Sequence, residues 1–509
     1  MERELKLRTS SEDLAALRHA PLLLQKEGAE QSSQLLTSTY FDTPGLSLHW
    51  CGASLRVRAA GDRRIQTMKL ETPAQSGLFE RDEFEMPVDG DAPELALLHS
   101  QISGDTDIGK LIRDDTFASQ LKPVFVTRIK RAALPLSLPS GDEIEVALDE
   151  GSIDAESGSI RVAAVELELK EGRPDSLYGF ALQLLETAAL RIDHHSKADL
   201  GYSLLIAEHA KAVKAQPVQL DKGASVEDAF CAIVRSCLNQ VHANERGVVS
   251  GHDPSSVHQM RVGLRRLRSA FDLFAKVIPA YPGLDDELRW IAAELGAARD
   301  WEVLAGATLD QAGMNHSPDE IVPVRAACKR IADDNRQRAA AAVESSRYTR
   351  LSLQLALWLS QKGWRSGMSG HELEGAGIPA RRFAADVLRR MHKKLIRRGK
   401  GLADLSDHDR HRARIAAKKV RYATEFFASL CPRREVEHYL EALSALQDDL
   451  GWRNDAVVAH QLLKTLAHTS PETMAGAAFA RGFLAARVAA DHQTLKKLWN
   501  RFRRLSPPH

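Results

Sequence analysis

Glu2, Glu4 and Lys6 occupy alternate positions at the start of this 509-residue chain, with Leu5 and Leu7 interleaved. In an extended strand alternate side chains share a face. Two carboxylates and an ammonium therefore stand on one side and leucines on the other. The pattern returns at Glu166, Glu168 and Lys170, backed by Leu167 and Leu169. Between them come further groups at spacing two: Arg56 and Arg58, Thr67 and Lys69, Arg81 with Glu83 and Glu85, Arg128 with Lys130, Glu145 with Asp149. One such strand is an ordinary solvent face of an antiparallel sheet. Several in a row imply strands that close with charged faces inward and apolar faces covered. The enclosed carboxylates suit a hard dication such as Mg²⁺ or Mn²⁺, and the arginines and lysines suit phosphate oxygens. No Walker A or glycine-rich phosphate loop is present, which excludes the P-loop class.

The elements that must position these residues are legible from periodicity. Up to about residue 205 the chain alternates polar and apolar over short runs, RELKL, SLRVRAA, RIQTMKLE, RDEFEMPV, VFVTRIKRAAL, EIEVALD and VAAVELELK among them. Gly61-Asp62, Asp89-Gly90 and Gly141-Asp142 mark turns. Two helices are expected, over 10–27 and 176–190. From about 221 the period becomes 3.6, with breaks near Pro254, Pro279 to Gly283, Ser317-Pro318, Gly363 to Gly377 and Asp404 to Asp409. The fold expected is an α+β antiparallel unit over 1–208, a linker over 209–222 and an all-α unit over 223–509.

Taken together, Glu2-x-Glu4-x-Lys6, Leu-Arg56-Val-Arg58, Thr67-Met-Lys69, Glu145-Val-Ala-Leu-Asp149, Glu166-Leu-Glu168 and Ser196-Lys197 resemble the CYTH family, the triphosphate tunnel metalloenzymes. The resemblance implies an eight-stranded antiparallel β tunnel that hydrolyses a triphosphate. It implies that Glu2, Glu4, Asp149, Glu166 and Glu168 hold Mg²⁺ or Mn²⁺, with Glu145 assisting. Lys6, Arg56, Arg58, Lys69, Arg81, Arg128 and Lys197 would bind phosphates, with Lys6, Lys69 and Arg58 as catalytic candidates. A lysine can act as general base only where neighbouring cations depress its pKa.

The helical half repeats itself. His258-Gln-Met-Arg261-Val-Gly-Leu-Arg265-Arg266-Leu-Arg268 returns as His411-Arg-Ala-Arg414-Ile-Ala-Ala-Lys418-Lys419-Val-Arg421. Leu295-Gly-Ala-Ala-Arg299-Asp300 returns as Leu450-Gly-Trp-Arg453-Asn-Asp455. On a helix His258, Arg261, Arg265 and Arg268 share a face, and His411, Arg414, Lys418 and Arg421 reproduce it. No carboxylate or second histidine stands at metal-ligand spacing, so an anion is the fitting ligand. This half resembles the CHAD domain, which implies a duplicated helical bundle binding inorganic polyphosphate through both faces, Arg266 and Lys419 included. The whole chain resembles the bacterial CYTH–CHAD inorganic triphosphatases.

Composition agrees. Residues 1–208 hold 22 lysines and arginines against 35 acids, a balance of −13, and residues 209–509 hold 47 against 33, a balance of +14. Two units with different partners are implied, the second anionic. Aromatics at 6% offer no stacking platform for nucleic acid. The five cysteines, Cys51, Cys231, Cys237, Cys328 and Cys431, form no CxxC pair, and no run of about 18 apolar residues is present. A cytoplasmic protein, associated with polyphosphate granules, is expected. Inorganic triphosphate and polyphosphate are the expected partners. A class IV-type adenylate cyclase, a thiamine triphosphatase and a non-enzymatic polyphosphate-binding scaffold are the alternatives.

Overall fold

The computed structural model describes residues 2–24, 33–70, 74, 76–206, 210–312, 319–490 and 492–509. They form two compact units, 1–209 with 344–362, and 210–343 with 363–509.

The first unit is built on ten strands: β1 (Glu2–Arg8), β2 (Ser33–Asp42), β3 (Ala53–Ala60), β4 (Arg63–Leu70), β5 (Leu78–Arg81), β6 (Glu83–Pro87), β7 (Lys122–Ser137), β8 (Glu143–Ala155), β9 (Gly158–Glu171) and β10 (Arg191–Ile192). They run antiparallel in the order β10-β1-β9-β8-β7-β2-β3-β4-β6. β5 pairs with β1 while β6 pairs with β4, so residues 78–87 bridge the two edges and close the ring. Counting β5 and β6 as one stave gives the expected eight. β10 is an addition on Leu7 and Arg8 of β1.

Alternation decides which way each strand faces. Leu5, Leu7, Val146, Leu148, Val165 and Leu167 turn outward and are fully covered. Each such side chain contributes roughly 1.5–3 kcal/mol on burial. The cover is the helix Ser11–Arg18, through Leu14 and Leu17, and the helix Asp175–Leu184, through Leu177, Phe180 and Leu184. Both fall where the sequence places helices, though each is shorter, and residues 25–27 lie outside the described residues. Leu353 and Ala356 of the helix Ser346–Ser360 complete this core. That helix stands far downstream, inside the region read as wholly belonging to the second unit. Arg350 bonds Glu186 at 2.7 Å and Gln361 bonds Asp175 at 2.9 Å. The sequence reading also lacks three short helices, Leu95–Leu98, Asp107–Leu111 and Asp115–Gln120, which cover Leu55 and Met68 of β3 and β4.

The second unit is all helix. The duplicated segments fold alike: Pro254–Phe274 and Leu284–Val303 carry the first copy, Asp407–Phe426 and Arg433–Thr469 the second. Asp253 caps the first helix by accepting from Ser255 N, and Ser406 caps its counterpart by accepting from Asp409 N. The copies differ at their second motif. Arg299-Asp300 sits at the end of a helix that runs into a π turn at Leu304–Thr308, whereas Arg453 to Asp455 lies inside an unbroken 37-residue helix. Among the described residues no helix is long and apolar enough to cross a membrane.

Candidate active site and duplicated basic face

The lumen of the ring is a cavity of about 560 Å³. Glu2, Glu4 and Lys6 of β1, Arg56 and Arg58 of β3, Lys69 of β4, Arg81, Glu83 and Glu85 of the bridging stave, Glu145 and Asp149 of β8, and Glu166, Glu168 and Lys170 of β9 all line it. Lys197 enters from the helix Lys197–Leu205. Ser196 fixes that helix start by a capping box with Asp199, at 3.1 and 2.7 Å.

The carboxylates rest on cations. Glu166 accepts from Lys197 at 2.6 Å, lies 3.4 Å from Lys6 and pairs with Arg131. Those three cations hold its carboxyl well below the usual range, against the opposing effect of burial. Asp149, with no exposure, is held bidentately by Arg131 at 2.6 and 2.7 Å and by Lys197 at 2.7 Å. Glu4 pairs with Arg81 and, at 3.0 Å, with Lys6. Glu2 and Glu83 share Lys69, at 3.0 and 2.8 Å. Burial works against the charge on Lys6, but Glu4 and Glu166 outweigh it and raise its pKa. With those two carboxylates beside it, Lys6 is held as a cation.

Two places lack this balance. Burial raises the pKa of Glu168, and the nearby Glu2 and Glu145 raise it further, although Lys170 is 2.7 Å away. Three carboxylates concentrated at one place fit a hard dication with oxygen ligands. Arg58 is the converse. Among the described residues no carboxylate lies in ion-pair reach of it, and its Nε is buried without a hydrogen-bond partner. Arg56 beside it, with burial and Arg131 adding, holds its pKa down to about 10. A lone guanidinium among cations fits an anion.

Arg128 is corrected. With Lys130 it lies on the outer, exposed face of β7 and bonds Asp154 at 2.7 Å. The inward residues of that strand are Thr127, Ile129 and Arg131. Arg131 was missed because the run Arg128-Ile-Lys130-Arg131 offers basic residues to both faces. The phase is set by pairing of Arg131 with Asp149 across β7 and β8.

In the second unit, part of each basic run converges. The pKa of His258 falls to about 4 through burial and the charges of Arg299, Arg265, Arg261 and Lys418. That of Lys418 falls to about 7 through burial, Arg414, Arg265 and Arg261, with Asp455 opposing. Side chains of both copies thus share one cationic field. The copies are matched in their counter-charges: Arg261 bonds Asp300 at 3.2 Å, and Arg414 stands 4.0 Å from Asp455. Arg299, from the second motif, joins this set and was not among the expected ligands.

The rest of each run turns elsewhere. Arg266 is buried, donates to Gln240 at 2.8 Å and stacks on Phe426 at 5.2 Å, as part of the packing. Arg268 pairs with Asp285 at 3.3 Å, Lys419 with Asp272, and Arg421 with Glu425 at 2.7 Å. His411 is exposed, its Nδ1 2.8 Å from Asn454 Oδ1. Arg266 and Lys419 were added as sequence neighbours of the face, and successive helical residues diverge by about 100°. Arg268, His411 and Arg421 share the face by spacing, and local partners take them instead.

Known proteins match both units. The CYTH domain family matches residues 1–202 and the CHAD domain family residues 232–464. An inorganic triphosphatase of Haemophilus influenzae is 28% identical over 176 residues, 34% of this chain. That alignment spans 47% of the relative, about half its length. An uncharacterized protein of Mycobacterium tuberculosis is 27% identical over 470 residues, 85% of this chain and 83% of its own. The crystal structure of the CHAD domain from the plant Ricinus communis superposes with a TM-score of 0.53 at 38% identity, covering 59% of this chain and 99% of that one. With tunnel and duplicated bundle both in place, the chain belongs to the CYTH–CHAD proteins, its first 202 residues a CYTH domain and residues 232–464 a CHAD domain.

Proposed function

We propose that the tunnel hydrolyses inorganic triphosphate to pyrophosphate and phosphate with Mg²⁺ or Mn²⁺, and that the CHAD half binds inorganic polyphosphate in the cytoplasm. The observation that carries the reading is a lumen lined by eight cations and eight carboxylates that are unevenly paired. Glu2, Glu145 and Glu168 crowd together at one place, and among the described residues Arg58 has no carboxylate in ion-pair reach. Glu2, Glu145 and Glu168, with Glu4, Asp149 and Glu166 deeper in the lumen, would hold the metal. When bound, it supplies charge neutralisation at the phosphate oxygens and an acidified water. Arg56, Arg58, Arg131, Lys69 and Lys197 orient the chain of phosphates and stabilise charge as the terminal bond breaks.

One observation favours an inorganic over an organic triphosphate. Among the residues lining the cavity Tyr40 is the sole aromatic, and its ring is stacked on Phe125 at 4.5 Å and 3% exposed. Among the described residues no ring is offered to a base or a thiazolium. The test is phosphate release from tripolyphosphate, ATP, thiamine triphosphate and polyphosphate, with Mg²⁺, Mn²⁺ or EDTA. Tripolyphosphate should lead by about tenfold or more, the worth of roughly 1.4 kcal/mol at the transition state. EDTA and Glu2→Gln should each abolish release, since an amide is a poor ligand for a hard dication. A preference for ATP, or full turnover in EDTA, overturns the reading.

A further inference from the structure

The helix Ala380–Arg398 stands outside the duplicated motifs. It carries eight lysines and arginines and one carboxylate, Asp386. Solvated helices ordinarily alternate sign so that residues four apart attract. Here they repel: Arg389, Lys393 and Arg397 form one row at spacing four, and Arg390, Lys394 and Arg398 a second. Successive members of a row stand about 6 Å apart along the axis.

The second row is one wall of a groove of about 690 Å³. Lys276, following the helix Pro254–Phe274, and Arg412 and Lys419 of the helix Asp407–Phe426 form the others, over a floor that includes Leu273, Met391 and Ala416. Against six cations stands one carboxylate, Asp272, already paired with Lys419. Arg412 reaches Asp409 at 3.4 Å. Among the described residues no carboxylate lies in ion-pair reach of Lys276, Arg390 or Lys394. Burial, Arg398, Lys419 and Arg397 together depress the pKa of Lys394, with Asp272 opposing. The first row opens onto an adjoining hollow of about 560 Å³ that shares Arg390 and Lys394 with the groove.

We infer that this groove and its shoulder are a second anion site, separate from the duplicated face, that takes an extended inorganic phosphate chain. The two rows present cations at regular intervals along a line, which matches a linear polyanion better than a compact one. Among the described residues no aromatic ring lines either hollow, so bases are offered no stacking surface. Lys419, which the sequence grouped with the duplicated face, belongs here.

The test uses the full chain in EDTA, with labelled polyphosphate of defined length and the tunnel unaltered in every variant. One variant carries Lys276→Gln, Arg390→Gln and Lys394→Gln, at side chains that have no ion pair among the described residues, each replaced by a neutral polar group on a shorter stem. A second carries Arg261→Ala, Arg265→Ala, Arg414→Ala and Lys418→Ala. The first should bind at least tenfold more weakly than the parent chain. Its log–log salt slope should fall by about 2, from ~0.7–0.9 per lost contact by analogy with nucleic acid. The second should retain the binding that the first removes, and the two sets combined should lose both. Lys394→Gln alone should move affinity in the same direction by less, and Arg390→Lys with Lys394→Arg should restore it. Unchanged affinity and slope in the first variant overturn the inference without touching the duplicated face. Displacement by duplex DNA at equal phosphate concentration overturns the ligand class, leaving a generic cationic surface.

Discussion

Removing the Arg131 guanidinium leaves Asp149, which has no exposure, with Lys197 as its remaining ionic partner. Stripping one member from a buried charge pair costs about 3–5 kcal/mol, and the surviving lysines place Arg131→Ala at or below the low end. Arg128→Ala, on the exposed face of the same strand, should change stability by less than about 0.5 kcal/mol. Urea unfolding of the two variants checks the contrast, and equal losses would put both guanidinia in one environment. Sequence pattern located nearly all of the lumen's charged residues because alternation along β1, β3, β8 and β9 is unambiguous, but it did not find the uncharged lining of β2. It failed on β7, where both faces carry base. Lys418 gives a second consequence. Its pKa in the free protein is lowered to about 7, so it is charged below that pH and increasingly neutral above it. A bound polyanion favours the charged form, so binding above pH 7 must take up a proton. Polyphosphate affinity should therefore weaken as pH rises from 6 to 9, by at most about tenfold per unit for one proton. Lys418→Arg should flatten the profile, and an identical slope in that variant would clear Lys418 of the effect.

Among the elements, the helix Ser346–Ser360 has the least expected role. Leu353 is fully buried against the tunnel's outer core, alongside Leu177 and Phe180. Leu353→Ala should cost about 2–5 kcal/mol, and the loss should appear as earlier thermal inactivation of phosphate release rather than weaker polyphosphate binding. The reverse pattern would assign the helix to the second unit. A fragment ending at residue 208 lacks this cover, so it should be less stable than the same residues in the full chain. Amphipathic period announces that a helix exists but not which core it joins, which is why this one was read with its neighbours. The helices of four to six residues near Leu98, Ile108 and Phe117 escaped for another reason: one turn is too short to display a period.

The molecule as a whole divides its charge, −13 before residue 209 and +14 after it. Polyphosphate binding by the second unit should accordingly fall steeply with salt, as counterion release requires. Replacing Arg261, Arg265, Arg414 and Lys418 with alanine should weaken the binding carried by the duplicated face by about a hundredfold or more while leaving tripolyphosphate turnover unchanged. A matched fall in turnover would mean that the two activities share a site. The period change near residue 221 and the doubled motif made this division readable. How each basic run splits between ligand, packing and second groove was fixed only by helix phase. The bridging stave at 78–87 carries a consequence of another kind. Because β5 and β6 join β1 to β4, the described strands make a ring, and the ready way in for a guest is along its axis rather than between paired strands. A linear phosphate chain has a bare terminus to thread. One bulkily capped at both termini presents a wider cross-section at either end, so it should be turned over more slowly than the bare chain whatever its charge.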